Sequence, residues 1–228
     1  MKRALTFQIL LIGVLIFSSC KREDSVNIDQ QRIYVNYEYV FNSQTMQSTA
    51  TATFRLDNSK GTKIELTYPA RIDFNGEGMA YRNSSGSYQV STSANTIGGL
   101  FKYTDLEESA YANTTAPLTY IELPYAITSI SRNGNFFLPW EGSALQAGEM
   151  ITVTISGGSQ TGSTSWTTNT VGETYIILDQ NKLNNLVQGN AEIQIQRELV
   201  TGIQQSTLAG GRMTSTYLSQ KAFVNITN

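Results

Sequence analysis

Residues 33–41, IYVNYEYVF, and 49–56, TATATFRL, decide the fold of this chain. In the first, Ile33, Val35, Tyr37, Tyr39 and Phe41 alternate with Tyr34, Asn36, Glu38 and Val40. In the second, Ala50, Ala52, Phe54 and Leu56 alternate with Thr49, Thr51, Thr53 and Arg55. An apolar face opposite a Thr-rich or charged face, repeating every two residues, is the mark of antiparallel strands covered on one side by a core. Ile64, Leu66 and Tyr68 set against Lys63, Glu65 and Thr67 continue it. Turn residues separate these runs, at Asp57-Asn58-Ser59-Lys60-Gly61, Asn83-Ser84-Ser85-Gly86 and Gly98-Gly99. Asn75-Gly76, between Ile72/Phe74 and Met79/Tyr81, predicts a tight hairpin, because both residues tolerate positive φ. Further strands are expected at 87–92 and 99–104.

The pattern lapses over 111–117, YANTTAP, which has no period and ends in a proline, so a domain boundary is placed there. It resumes at 118–123, 127–131, 136–138 and 150–155, then at 173–178, 191–197, 213–218 and 222–226. One helical turn is expected after Asp179, whose side chain can accept from the N–H groups of 181–182. Leu183, Leu186 and Val187 would share a face, and Gly189 would stop it. Each half offers about seven strands, the count of an immunoglobulin-like sandwich. The expected fold class is all-β: two tandem immunoglobulin-like antiparallel β-sandwiches, residues 32–114 and 115–228.

Upstream the chemistry changes. Met1-Lys2-Arg3 is basic, 9–17 is an unbroken apolar run, and Ser18-Ser19 precede Cys20, the one cysteine of the chain. This is the anatomy of a secretory signal, 1–19, too short to span a bilayer. The thiol in that slot resembles the lipobox of bacterial lipoproteins, with Phe17 where Leu is usual. The resemblance implies that Cys20 is acylated as the first mature residue and that a membrane is a partner through that lipid. Residues 20–31 then read as the lipidated cysteine and a flexible, charged tether, since KREDSVNIDQ has no apolar period. Lys21 followed by acidic residues is similar to the surface-export signal of Bacteroidota lipoproteins, although Arg22 intervenes; a spacer on the periplasmic face is the other reading. Asp24-Ser25-Val26 resembles the O-glycan acceptor of the same phylum, which makes Ser25 a candidate acceptor.

Two internal stretches extend the likeness. Residues 49–78, with the central run ATATFRLDNSKGTKIELTYPARIDFNG, and 136–155, FFLPWEGSALQAGEMITVTI, resemble patterns in uncharacterised exported Bacteroidota lipoproteins with immunoglobulin-like sandwiches. The resemblance implies a fold and an outer-membrane address, on the surface or the periplasmic face. It carries over no functional residues.

Composition narrows the chemistry. With no histidine, Ser-His-Asp and Cys-His arrangements and the usual zinc sites are excluded. With Cys20 committed to lipid, there is no thiol nucleophile and no disulfide. Loss of Lys2 and Arg3 with the signal takes the net charge of −2 to about −4, and such a surface gives nucleic acid no footing. No catalytic residue, cofactor or metal site is expected.

The candidate contact residue is Trp166, in 157–170, GGSQTGSTSWTTNT, a stretch too polar to bury itself. An exposed aromatic there can stack on a sugar or enter a partner's pocket; the competing reading folds it back over the sandwich end. Trp140, after Pro139, reads as a core plug, and the many tyrosines as residues suited to half-buried strands. Glu107-Glu108 would point to opposite faces of a strand, and Asp73 and Glu77 flank a hairpin. Asp57-x-Ser59-x-Gly61 lacks the acids of a calcium loop, and Gly210-Gly211-Arg212 lacks a following helix to cradle phosphate. The leading expectation is a non-enzymatic, lipid-anchored envelope protein, adhesin-like or scaffold, that binds a glycan or a protein. A carbohydrate-binding lipoprotein using exposed Trp and Tyr is the alternative, and a glycosidase needing two carboxylates across a groove is the third reading.

Overall fold

In the computed structural model, which describes residues 22–93, 98–157 and 162–228, the alternating segments form strands with their apolar sides inward. The first half contributes β1 (Arg22–Asp24), β2 (Ile33–Asn42), β3 (Gln47–Leu56), β4 (Lys63–Glu65), β5 (Arg71–Phe74) and β6 (Glu77–Gly78). It continues with β7 (Ala80–Arg82), β8 (Ser87–Thr92), β9 (Leu100–Thr104) and β10 (Ala110–Thr114). The second half contributes β11 (Ser129–Ser131), β12 (Phe136–Pro139), β13 (Glu149–Ser156), β14 (Ser163–Thr168) and β15 (Tyr175–Leu178). After a single helical turn, α1 (Gln180–Leu183), come β16 (Gly189–Gly202), β17 (Gly211–Leu218) and β18 (Ala222–Thr227).

The all-β expectation holds. One sheet runs through both halves in the order β1-β4-β3-β2-β17-β16-β13-β14. The join is β17, which pairs in parallel with β2 from Gly211↔Val35 to Leu218↔Asn42. Two separate cores nevertheless form on one face of this sheet. Over the first half lies a four-stranded sheet, β10-β9-β5-β6. Its rings meet those of the large sheet at Tyr37–Phe101, Tyr39–Phe74 and Phe54–Tyr103, with centroids 4.5, 5.6 and 4.7 Å apart. Over the second half lie the β12–β15 pair and α1, closing on Ile151, Val153, Ile193 and Ile195. Met213 of β17 belongs to the first core, while Tyr217, two turns of the pleat further on, packs against the second.

Local chemistry accounts for the details. Asn75 and Gly76 both take positive φ, 51° and 82°, and turn β5 into β6 as expected. Asp179 caps α1 by accepting from the Lys182 N–H at 3.0 Å. The boundary stretch contains a strand after all: β10 pairs with β9, and its outer edge is sealed by side chains of the β16–β17 loop. Gln205 accepts from the Ala112 N–H, and Gln204 from the Thr114 N–H. Side-chain capping of this kind protects an edge that would otherwise recruit other strands. Of the expected strand over 118–123, only the isolated bridge Glu122↔Glu141 forms.

The tether reading is also corrected. Residues 22–32 are folded: β1 pairs in parallel with β4, and two short 3-10 turns follow. Gln30 is buried and donates to the Ser25 and Ile28 carbonyls, so the charged sequence runs along the sandwich rather than away from it.

Candidate ligand-binding cleft between the two halves

The chain crosses from the first core to the second at 118–121: Leu118 packs on one and Ile121 is fully buried in the other. Alternation about Ile121 sends Tyr120 and Glu122 to the opposite side. There the backbones of Glu122 and Glu141 exchange hydrogen bonds of 3.0 and 2.9 Å. The next residue, Gly142, has φ +135°, and a Cβ on it would lie 2.5 Å from the Tyr120 carbonyl. Glycine is what lets the two segments close together.

Glu122 is held by groups from both halves. One oxygen accepts from the Ser43 hydroxyl at 2.6 Å and, at 3.4 Å, from the Tyr217 hydroxyl; the other accepts from the Gln220 backbone N–H at 3.0 Å. Ser43 follows β2, and Gln220 lies in the β17–β18 turn, so the parallel pairing of β17 with β2 assembles this cradle. Tyr217 stands against Phe41 and meets Tyr120 in a T-shaped pair, with centroids 5.3 and 5.6 Å apart. Partial burial, then the nearby charges of Glu122 and Glu141, push the Tyr120 phenol above its ordinary value.

Two hollows meet at this point, of about 330 and 480 Å³, and share Glu122, Leu123, Glu141 and Gln220 as their common wall. The smaller holds Tyr120, 49% exposed; the larger holds Tyr125, 100% exposed, and Phe223, 73% exposed. Lys221 lines the larger hollow and is paired with Glu192 at 2.8 Å. A shallow concavity of about 320 Å³ also lies on the uncovered face of the large sheet, among Glu38, Glu198, Arg212 and Thr216, and has no aromatic wall.

Of the residues that sequence reasoning named, Tyr120 and Tyr125, counted among the tyrosines suited to half-buried strands, fall in this cleft and are exposed; the candidate contact and modification residues do not. Cys20 lies outside the described residues. Ser25 is fully buried, its hydroxyl accepting from the Thr67 N–H at 2.8 Å, so it has no room for a glycan. Trp166 is corrected from an exposed loop residue to a core residue. It sits in β14 opposite Val153, 3% exposed, and its indole N–H donates to Asp179 at 3.0 Å. Trp140 is buried and plugs the second core. Asp57 receives a two-pronged ion pair from Arg32 at 2.7 and 2.8 Å, which occupies the carboxylate that a calcium loop would need. Among the described residues no group of three or more Asp, Glu, His or Cys is placed to hold a metal ion, and no helix is long and apolar enough to cross a membrane.

Glu122, Glu141 and Phe223 escaped the sequence reading because no two of the contributing segments carry a shared motif, and nothing local set Tyr120 and Tyr125 apart from the other tyrosines. Chemically the cleft offers acceptors and apolar faces. Directly bridged residues place their side chains on one side of the pairing, so Glu122 and Glu141 share a wall instead of facing each other across a groove.

No family model matches this chain, and no curated protein matches it. Among solved structures it is similar to a chain of a 1.5-MDa bacterial ice-binding adhesin, studied for host cell surface retention, at 15% identity and a TM-score of 0.24. The match takes in 85% of this chain and 66% of that one, so this chain spans just under two thirds of its neighbour. An overlap this loose carries no argument about shared activity.

Proposed function

We propose that this protein is a non-enzymatic, lipid-anchored component of a bacterial cell envelope, an exported lipoprotein of Bacteroidota type, whose folded part is an adhesin-like binding module. In this reading 1–19 is the signal, Cys20 carries the lipid at the outer membrane, and the two halves are immunoglobulin-like sandwiches fused through β17. One observation carries the binding role: Tyr125 and Phe223 stand in solvent beside a carboxylate, Glu122, that both halves orient. Large exposed aromatics next to fixed polar groups are what a recognition site leaves open before its ligand arrives.

The test has two arms. Labelling cells with a clickable palmitate analogue is expected to mark the wild-type protein and not Cys20→Ser. Retention of the full-length protein on immobilised envelope material is expected to fall in Tyr125→Ala and Glu141→Gln. Both residues are exposed, so the fold is untouched. Unchanged retention in both variants would remove the cleft from the function.

A further inference from the structure

We infer that the cleft takes a neutral saccharide, its ring faces laid on Tyr125, Phe223 and Tyr120 and its hydroxyls donating to Glu122 and Glu141. This rests on the cleft being the binding site. The cleft holds a mismatch that a sugar resolves. The wall at the centre of the cleft carries carboxylates, which are acceptors only, while the flanks carry flat aromatic rings open to water. A pyranose has both complements at once: C–H bonds on one face, which cover an aromatic ring, and a rim of O–H donors.

Charge sets the class. Glu122 and Glu141 stand together, and the nearest cation on the wall, Lys221, is already paired with Glu192. A uronate or sulfated sugar would bring a like charge against the carboxylates, a juxtaposition that interfaces avoid. Neutral hydroxyls meet no such penalty. Pre-organisation favours the same answer. Glu122 is fixed by the Ser43 hydroxyl and the Gln220 N–H before any ligand binds, so little ordering is left to oppose association.

Shape sets the length. The hollows of about 330 and 480 Å³ each fall in the range of small-molecule sites. They adjoin at the Glu122–Glu141 bridge, with an aromatic in each. That arrangement fits adjacent rings of an oligosaccharide, one on Tyr120 and one between Tyr125 and Phe223, with the linkage over the carboxylates. A basic peptide shares the charge preference, but its side chains need recesses to fill, whereas Tyr125 lies fully outside the surface as a platform.

Calorimetric titration of the full-length protein in detergent tests this, with neutral glucan, mannan, xylan and galactan oligosaccharides set beside polygalacturonate fragments and a Lys-rich peptide. At least one neutral oligosaccharide is expected to bind. The Tyr125→Ala/Phe223→Ala protein should bind it about tenfold more weakly, the loss of two stacking faces. Glu141→Gln should also weaken it, and polygalacturonate should not bind. Failure of every neutral oligosaccharide to bind, equal affinity for polygalacturonate, or unchanged affinity in the variants overturns the inference. Periodate, which cleaves vicinal diols, separates this from failure of the cleft reading itself. If retention on envelope material depends on Tyr125 and Glu141 but survives periodate, or the peptide binds in place of sugar, the saccharide is wrong and the cleft stands. If retention ignores those variants, both fall.

Discussion

Arg197 of β16 and Glu149 of β13 are diagonal neighbours on one face of the shared sheet and form an ion pair with both side chains buried, 1% and 4% exposed. Arg197 also donates to the Ser143 and Ala144 carbonyls, while Glu149 accepts from the Thr119 hydroxyl and the Gln146 N–H. The pair therefore ties the crossing segment and the 143–146 loop to the second core. Burial opposes charge on Glu149, but Arg197, Gln146 and Thr119 together outweigh it and hold the carboxyl below its ordinary value of 4.5. A depressed folded value gives stability that is fully present above the unfolded value and is lost as pH falls through the folded one. Denaturant titrations at descending pH should show the acid limb steepening below about pH 4.5, and Glu149→Gln should flatten it. Arg197→Ala, which leaves a buried carboxylate unpaired, should cost about 3–5 kcal/mol.

Trp166→Ala should cost about 3–5 kcal/mol, because it empties a large volume in the second core and frees Asp179 from its indole donor. Differential scanning calorimetry should register a fall in Tm of roughly 10 °C. Trp166→Phe should cost about 1 kcal/mol, the scale of one hydrogen bond. A Trp166→Ala protein that melts like wild type would contradict the buried placement.

Gly211→Val tests the join between the halves. A Cβ at Gly211 would lie 2.5 Å from the Val35 carbonyl and 2.3 Å from Cδ1 of Ile203, at the first rung of the β17–β2 ladder. The carbonyl belongs to fixed strand backbone, so the strain falls on the pairing, at about 2 kcal/mol. Hydrogen exchange should quicken along 33–42 and 211–218 more than in β13. Uniform acceleration would argue that the join is no weaker than the cores.

Cys20→Ser and deletion of 22–32 should part company. The first removes the proposed attachment and changes none of the described residues, so denaturation should be unchanged while lipid labelling disappears. The second removes the β1–β4 pairing, the Ser25 bond to Thr67 and buried Gln30, and should cost several kcal/mol, roughly 3. Equal stability of the two would restore the free tether. Unchanged membrane partitioning of full-length Cys20→Ser would remove the lipid anchor.

The sequence by itself determined the class of structure and which side of each strand is buried. Ile33, Val35, Tyr37 and Tyr39 are all in the core, Asn75-Gly76 makes the turn, and Asp179 caps the helix, because alternation, positive φ and capping act over a few neighbouring residues. Only the tertiary structure decided which strands are neighbours. A period of two says that Met213 and Tyr217 face inward, but β17 meets β2 as well as β16 because of register between segments about 175 residues apart. Trp166 could be read as exposed because its flanks are Ser and Thr, yet pairing with β13 turns it into the core, with Thr164 and Thr168 half-buried on the same face and Ser163, Ser165 and Thr167 outside. The cleft followed the same logic, since Ser43, Glu122, Glu141 and Gln220 converge only after the sheet has joined the two halves. Local chemistry fixed the faces; long-range register fixed the partners, and the candidate site is built from partners.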